Sequence, residues 1–376
     1  MDLIRAWNTL QAYCDILLRR KTPRAYPLEL SLGSNSYCNL RCIMCPREDH
    51  EGNRMPFDQP VSVEYFRGLE DYLRRANEVS LYGLGEPFID RDYFEKVAII
   101  HSHGAEVTLS TNGVLLDEKR RRQVVETGLR GLGISLDAVT PETYAVVRPP
   151  GGFEKVVENL KALIGMRQGA RPLVVLSFAM MRQNLDEVPR FPELVKSIGA
   201  DEAIIHTSLY MSHAMKERIE PDVQKQKERV HETLENAKKL NLRITYWDLD
   251  PMTYLRSLEY ISGGSTAEPD GNSYYCRYMW RNAMLQGVGE FFPCCYMTNH
   301  RVGTLEEDGL RNLRGKPFMT ELRRLHFEGA LPGPCEKCPQ LVPYDRRRLL
   351  REGLAEIRSA LFRSGGGTCS ETRRTV

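Results

Sequence analysis

This chain of 376 residues has no charge excess, no long apolar run and no internal repeat of fixed period. Its formal net charge is +2, with both signs spread along the length. A dedicated nucleic-acid binder would show a clustered basic surplus, so that class is set aside. No apolar run reaches the length that spans a bilayer, and the opening "MDLIRAWNTLQAYCDILLRRK" is too polar for a secretory signal. A cytoplasmic protein with neither nucleic-acid nor membrane partner is expected. The length supports two domains, or one large domain with an appendage.

Ten cysteines are present, and a disulfide framework would suit that number only in a small secreted domain. They fall into groups: Cys38, Cys42 and Cys45, then Cys276, Cys294, Cys295, Cys335 and Cys338, with Cys14 and Cys369 alone. Clustered thiols in a large intracellular chain read as metal or iron–sulfur ligands.

Short apolar strands alternate with amphipathic stretches from Leu28 to about Trp247. The strands read "LELSLGS" (28–34), "EVSLYG" (78–83), "EVTLSTNG" (106–113), "LRGLGISLDA" (129–138), "PLVVLSFAMM" (172–181) and "EAIIHTSLY" (202–210). In "GFEKVVENLKALIGMRQG", Phe153, Val156, Val157, Leu160, Leu163 and Ile164 recur at helical spacing. Six β–α units in series imply an α/β fold with a parallel sheet and right-handed crossovers. A doubly wound sheet and an incomplete barrel both satisfy that count. A helix is expected over 1–25 and a Pro-, Gly- and Ser-containing linker over 248–273. A small domain follows over 274–345, with strand patterns at 282–286 and 289–295 and a helix around 315–329. A C-terminal helix (346–363) and a tail of disordered composition (364–376) complete the expected order.

The loop "SNSYCNLRCIMCPRE" places three thiols within eight positions directly after the first strand. Structural zinc takes four protein ligands, and only His50, beyond Pro46 in a charged loop, offers a fourth nearby. A cubane cluster held by three cysteines instead leaves one iron open to a substrate or cofactor. Cys-x3-Cys-x2-Cys in this setting resembles the cysteine loop of the radical S-adenosylmethionine (SAM) superfamily. The resemblance implies that the open iron is chelated by SAM. An electron from the cluster then splits the sulfonium into methionine and a 5′-deoxyadenosyl radical, which removes hydrogen from a substrate. It further implies a flavodoxin or ferredoxin-type electron donor. Met44 stands where the superfamily often has an aromatic residue, and a thioether still packs on a purine.

Further segments resemble that superfamily in the expected order. "GLGEP" is similar to its Gly-Gly-Glu-Pro segment, with Leu84 in place of a glycine. The resemblance gives Gly85, Glu86 and Pro87 to SAM, with Glu86 as the acid for the methionine ammonium. "STNG" supplies Ser110 and Asn112 beside the ribose. "SLD" supplies Ser135, and "RPPGGF" supplies Arg148, whose fork suits a carboxylate. The implied fold is a partial (β/α)6 barrel over roughly 26–247, with chemistry at the C-terminal ends of its strands.

Cys276, twelve residues, Gly289, four residues, Cys294, a gap, and Cys335-x2-Cys338 resemble the extension called SPASM or its shorter form, Twitch. A zinc ribbon uses the same ligand types; the preceding barrel favours a second, auxiliary [4Fe–4S] cluster. With no further cysteine until Cys369, the pattern points to Twitch and one such cluster. Neighbouring strand positions face opposite ways, so Cys294, selected by Gly-x4-Cys, is the ligand. Cys295 is then a buried small hydrophobe or, in the sharper reading, a hydrogen-atom donor to a substrate radical. Cys14 is expected to pack within its helix. Too few residues precede the first strand for the peptide-binding module common in peptide maturases, and Twitch enzymes such as 2-deoxy-scyllo-inosamine dehydrogenase are the nearest resemblance. A radical oxidoreductase acting on a small polar substrate (a sugar, aminocyclitol or nucleoside derivative) is therefore expected, with net oxidation ahead of epimerisation. Peptide maturation is the alternative reading, and a SAM-free iron–sulfur electron carrier is the non-enzymatic one.

Overall fold

The computed structural model describes residues 1–47, 60–263 and 271–362. His50, Cys369 and the tail lie outside them. Seven strands run parallel in sequential order: β1 Glu29–Gly33, β2 Glu78–Tyr82, β3 Glu106–Thr111, β4 Gly131–Ser135, β5 Leu173–Met180, β6 Glu202–Thr207 and β7 Arg243–Trp247. Helices occupy the crossovers, so each strand's C-terminal end opens on the same side. The helix Phe153–Met166 shows why: Val156, Leu160 and Leu163 are fully buried on one face. Each such side chain contributes at most about 1.5–3 kcal/mol.

The six expected strands are present. The seventh, "RITYW", was not anticipated, because it is an outer strand whose residues are exposed or half-buried and carries little apolar signal. The stretch 248–273, expected as a linker, contains the helix Thr253–Ile261, which buries Tyr254 and Leu255. Its composition pointed to a loop, while tertiary burial of one apolar face makes it a helix.

Beyond it come β8 Tyr274–Cys276, β9 Asn282–Gln286, β10 Glu290–Phe292, β11 Gly303–Thr304 and β12 Leu341–Pro343. β9 pairs parallel with β1, so the small C-terminal region continues the main sheet, in the order β11-β10-β9-β1-β2-β3-β4-β5-β6-β7. The ladder is open at β7 and β11, as a partial barrel requires. β8 and β12 form a separate antiparallel pair. The helix expected around 315–329 is Pro317–Glu328, started by Pro317, and a further helix, Leu305–Gly315, precedes it.

Candidate iron–sulfur and cofactor site

The three-cysteine loop leaves the C-terminal end of β1 and is stitched to the end of the helix Pro141–Val147, in the crossover from β4 to β5. Arg41 N donates to Pro149 O at 2.7 Å and Ile43 N to Val147 O at 3.1 Å. Within the loop Cys45 N donates to Cys42 O, and Leu40 N reaches Cys38 Sγ at 3.4 Å. All three thiols are half-buried. Burial pushes the Cys38 thiol up and that of Cys42 up to about 11, with Cys45 adding a like charge to both. Such thiols ionise when a cationic iron core takes the protons' place.

The "GLGEP" turn lies backbone-to-backbone against this loop. A Cβ on Gly85 would sit 2.3 Å from Tyr37 O and 2.4 Å from Asn35 Oδ1, and one on Gly83 would sit 2.4 Å from Asn35 O. Only glycine allows that approach. Glu86 N donates to Tyr37 O at 2.7 Å, and Asn35 Nδ2 donates to Glu86 O at 3.2 Å. The Glu86 side chain is 1% exposed. It accepts from Thr111 Oγ1 at 2.6 Å, Asn112 N at 2.8 Å and Phe88 N at 3.3 Å. Its carboxyl therefore ties the end of β2 to the end of β3, with burial pushing its pKa up against those three bonds. Pro87 opens the short helical turn that follows. Asn35 Oδ1 beside Gly85 is buried without a donor among the described residues. It is an acceptor suited to an ammonium, and sequence reasoning passed over it.

Asn112 bridges the strands' ends to the cysteine loop, donating to Asn39 Oδ1 at 2.8 Å and approaching Cys38 Sγ at 3.9 Å. Ser110 is exposed and Ser135 half-buried, each at the end of its strand. Met44 is partly buried against the apolar core. Arg148 is nine-tenths buried and paired with Asp137, its Nε donating to Oδ2 at 2.7 Å, and its Nη1 lies 3.5 Å from Cys42 Sγ. Asp137 sits at φ +59, where non-glycine residues are uncommon, and also accepts from Ala179 N at 2.7 Å. Sequence reasoning quoted this aspartate within "SLD" without giving it a role. It proves to be the group that holds the guanidinium against the cysteine loop.

Cys276, Cys294, Cys335 and Cys338 line one cavity of roughly 390 Å³, counting its open mouth. β8 carries Cys276, whose register partner on β12 is Leu341, and Leu341 N donates to Cys338 O. Cys294 follows β10. Gly289, at φ +85, shapes the β9–β10 turn, and a Cβ there would lie 2.9 Å from Leu305 Cβ. Burial raises all four thiols, and for Cys294, Cys335 and Cys338 the other thiols of the group add to the shift. Four mutually repelling, largely buried sulfurs around one cavity suit a cationic metal core. The donor set fits an iron–sulfur cluster.

Two neighbours stand out. His326 lines the same cavity and is almost fully buried, with Nδ1 2.6 Å from Leu322 O. Among the described C-terminal cysteines Cys295 alone is exposed as a residue, yet its sulfur is turned toward Tyr278 and the neighbouring thiols, and burial pushes that thiol up to about 12. It follows Cys294 outside a regular strand, where it is not confined to a packed face. The Tyr278 hydroxyl hydrogen-bonds to its sulfur, and Tyr82, at the end of β2, lies within its electrostatic reach. Cys14 is half-buried in the N-terminal helix.

The family description Radical SAM superfamily matches residues 34–195, and SPASM, an iron-sulfur cluster-binding domain, matches residues 276–339. The chain is similar to a probable GTP 3′,8-cyclase of Methanocaldococcus jannaschii, 29% identical over 172 residues, or 46% of this chain and 56% of that one. A probable GTP 3′,8-cyclase of Saccharolobus islandicus is 32% identical over 186 residues, covering 47% and 56%. The chain thus spans about half the length of these curated relatives. Among solved structures, Streptococcus suis SuiB bound to precursor peptide SuiA is similar with a TM-score of 0.62 at 13% identity, over 82% of this chain and 69% of that one. Native anSMEcpe with bound AdoMet and Cp18Cys peptide gives 0.57 at 18% identity, over 89% and 97%. At these identities the likeness is one of fold.

Proposed function

Because the chain belongs to the radical SAM superfamily and carries a SPASM iron–sulfur domain, we propose that it cleaves SAM reductively and removes hydrogen from a small polar substrate. Its cofactors are a [4Fe–4S] cluster with SAM and an auxiliary iron–sulfur cluster. A three-cysteine cluster with SAM bound supplies an electron that releases a 5′-deoxyadenosyl radical. The chain's own residues hold and orient. Cys38, Cys42 and Cys45 are the three ligands in this reading, and Asn112 and Arg148 place donors near two of their sulfurs. Asn35 Oδ1 and the backbone around Gly85 receive the methionine ammonium, Arg148 Nη1 faces the carboxylate, and Ser110 and Ser135 line the ribose side. Met44 packs on the adenine. Glu86 acts here as the strut that keeps its turn in place.

The observation that carries the reading is the contact of "GLGEP" with the cysteine loop at distances only glycine permits. An electron carrier has no use for that second wall. Anaerobic protein, reduced and mixed with SAM, forms 5′-deoxyadenosine; protein that takes up iron but never forms it would refute the proposal.

For the substrate we favour a sugar, aminocyclitol or nucleoside derivative, oxidised overall. Tyr82, Tyr278 and the Gln286 amide beside Tyr82 offer hydroxylated, polar walls near Cys295. The curated relatives bear the name of a nucleotide-cyclising enzyme, which agrees with a nucleoside-like class. Cys276, Cys294, Cys335 and Cys338 would then hold one fully ligated Twitch-type cluster, which would supply an electron acceptor for the oxidation. The place of Cys295 beside Tyr278 supports a second reading, epimerisation, in which its S–H returns a hydrogen atom to the substrate carbon and the thiyl radical left behind takes an electron from the external donor and a proton from solvent. With a substrate in hand, oxidation requires Cys295→Ala to turn over almost normally while Cys335→Ala forms little product. Solvent deuterium in the product carbon, lost in Cys295→Ala, would establish epimerisation instead.

A further inference from the structure

The N-terminal helix Leu3–Leu17 and the C-terminal helix Arg346–Phe362 pack against each other, with Gly353 against the ring of Tyr13. The first helix buries Ala12, Tyr13 and Ile16 together with an inward set of polar groups, Arg5, Asn8 and Asp15. Its apolar side chains Leu3, Trp7 and Leu10 face outward instead, at 67%, 61% and 39% exposure. This inverts the usual arrangement, in which the apolar stripe faces the core. On the second helix Leu350, Leu354 and Phe362 are exposed in the same way. Nine of the fourteen exposed large apolar side chains among the described residues belong to these two helices or their flanks, Met1 and Leu18. The other five are scattered singly, as on any surface.

The charge on this face is mainly of one sign, with one exposed acid, Asp345, at the start of the second helix, where it caps Arg347 N and Arg348 N. The exposed positions of the two helices are seven large apolar residues, one serine and four arginines, Arg346, Arg347, Arg351 and Arg358, with no acid. The acids of the C-terminal helix turn away: Glu352 pairs with Arg348 and Glu356 with Arg281. A second copy of the chain docked on this face would bring two rows of four arginines together with one exposed acid, Asp345, at the edge of each. Exposed Trp and Leu bordered by Arg is instead the composition of helices that lie in the interface of a bilayer. We propose that this helix pair docks the protein onto an anionic phospholipid surface, the leucines and Trp7 entering the headgroup boundary and the arginines meeting the lipid phosphates. Peripheral docking needs no spanning helix, and among the described residues no helix is long and apolar enough to cross a membrane.

The full chain is sedimented with vesicles of phosphatidylcholine alone and of phosphatidylcholine with 30% phosphatidylglycerol, a composition of about one anionic lipid in three. Binding to the anionic vesicles should be at least tenfold tighter and should weaken as salt is raised. Trp7→Ser with Leu354→Ser, both at the surface, should lower it at least tenfold with an unchanged circular dichroism spectrum. Arg347→Gln with Arg351→Gln should do the same. Equal binding to both vesicles, or none, would overturn the proposal. So would a stable dimer in sedimentation velocity that Trp7→Ser dissociates, or a protein partner that takes up the face while vesicles do not.

Discussion

Substituting Gly85 by Ala places a Cβ 2.3 Å from Tyr37 O, 2.4 Å from Asn35 Oδ1 and 2.7 Å from the carbonyl carbon of Ser36. Ordinary contact begins near 3.4 Å, so the turn and the cysteine loop must separate by 3.4 − 2.3 = 1.1 Å along the worst contact. Two of the three obstructing atoms are backbone, and a flexible side chain cannot simply swing aside. Overpacking of this kind costs about 1–3 kcal/mol. The larger effect is positional. A displacement of about 1 Å at a reacting centre lowers rate on the order of a hundredfold. Gly165→Ala is the control: it lies in the helix Phe153–Met166, and its Cβ would meet nothing within 4 Å. That change should leave activity intact and stabilise by up to about 1 kcal/mol. The assay is SAM affinity by equilibrium dialysis and 5′-deoxyadenosine release, alongside urea denaturation of each variant. Gly85→Ala binding SAM as tightly as the parent, at unchanged urea midpoint, would refute the reasoning.

Asp137→Ala removes the carboxylate partner of a nearly buried Arg148 and leaves Ala179 N without its acceptor. Breaking such a pair costs about 3–5 kcal/mol, read as a lower urea midpoint, and an unchanged midpoint would show that the guanidinium finds another partner. Reconstituted protein should hold about eight irons as two cubane clusters, and Cys38, Cys42 and Cys45 replaced together by Ala should leave about four and no SAM cleavage. Four irons with one zinc in the parent would place zinc in the C-terminal cavity.

The sequence alone determined the parallel α/β order and the two cysteine groups, because both are local signals. Strands and crossover helices declare themselves through apolar periodicity, and metal ligands through close spacing along the chain. Six of the seven barrel strands were legible this way; β7 was not, since an outer strand half in solvent has little alternation to read. Tertiary structure decided what the spacing could not. It made Glu86 a strut, because three donors from β3 and its own turn converge on a buried carboxyl. It gave Arg148 to Asp137, brought the orphaned Asn35 oxygen beside Gly85, and left Cys295 exposed next to the buried Cys294. It also turned the large apolar side chains in the first half of the N-terminal helix outward, while Tyr13 and Ile16 in its second half are buried. That outcome depended on which face found partners: Arg5 donates to Ala76 O and His103 O, and Asn8 donates to Tyr26 O and Arg75 O. Once those buried polar groups were satisfied, the leucines and Trp7 were left on the other side. Periodicity reveals that a helix has two faces; only the partners waiting in the fold decide which one is buried.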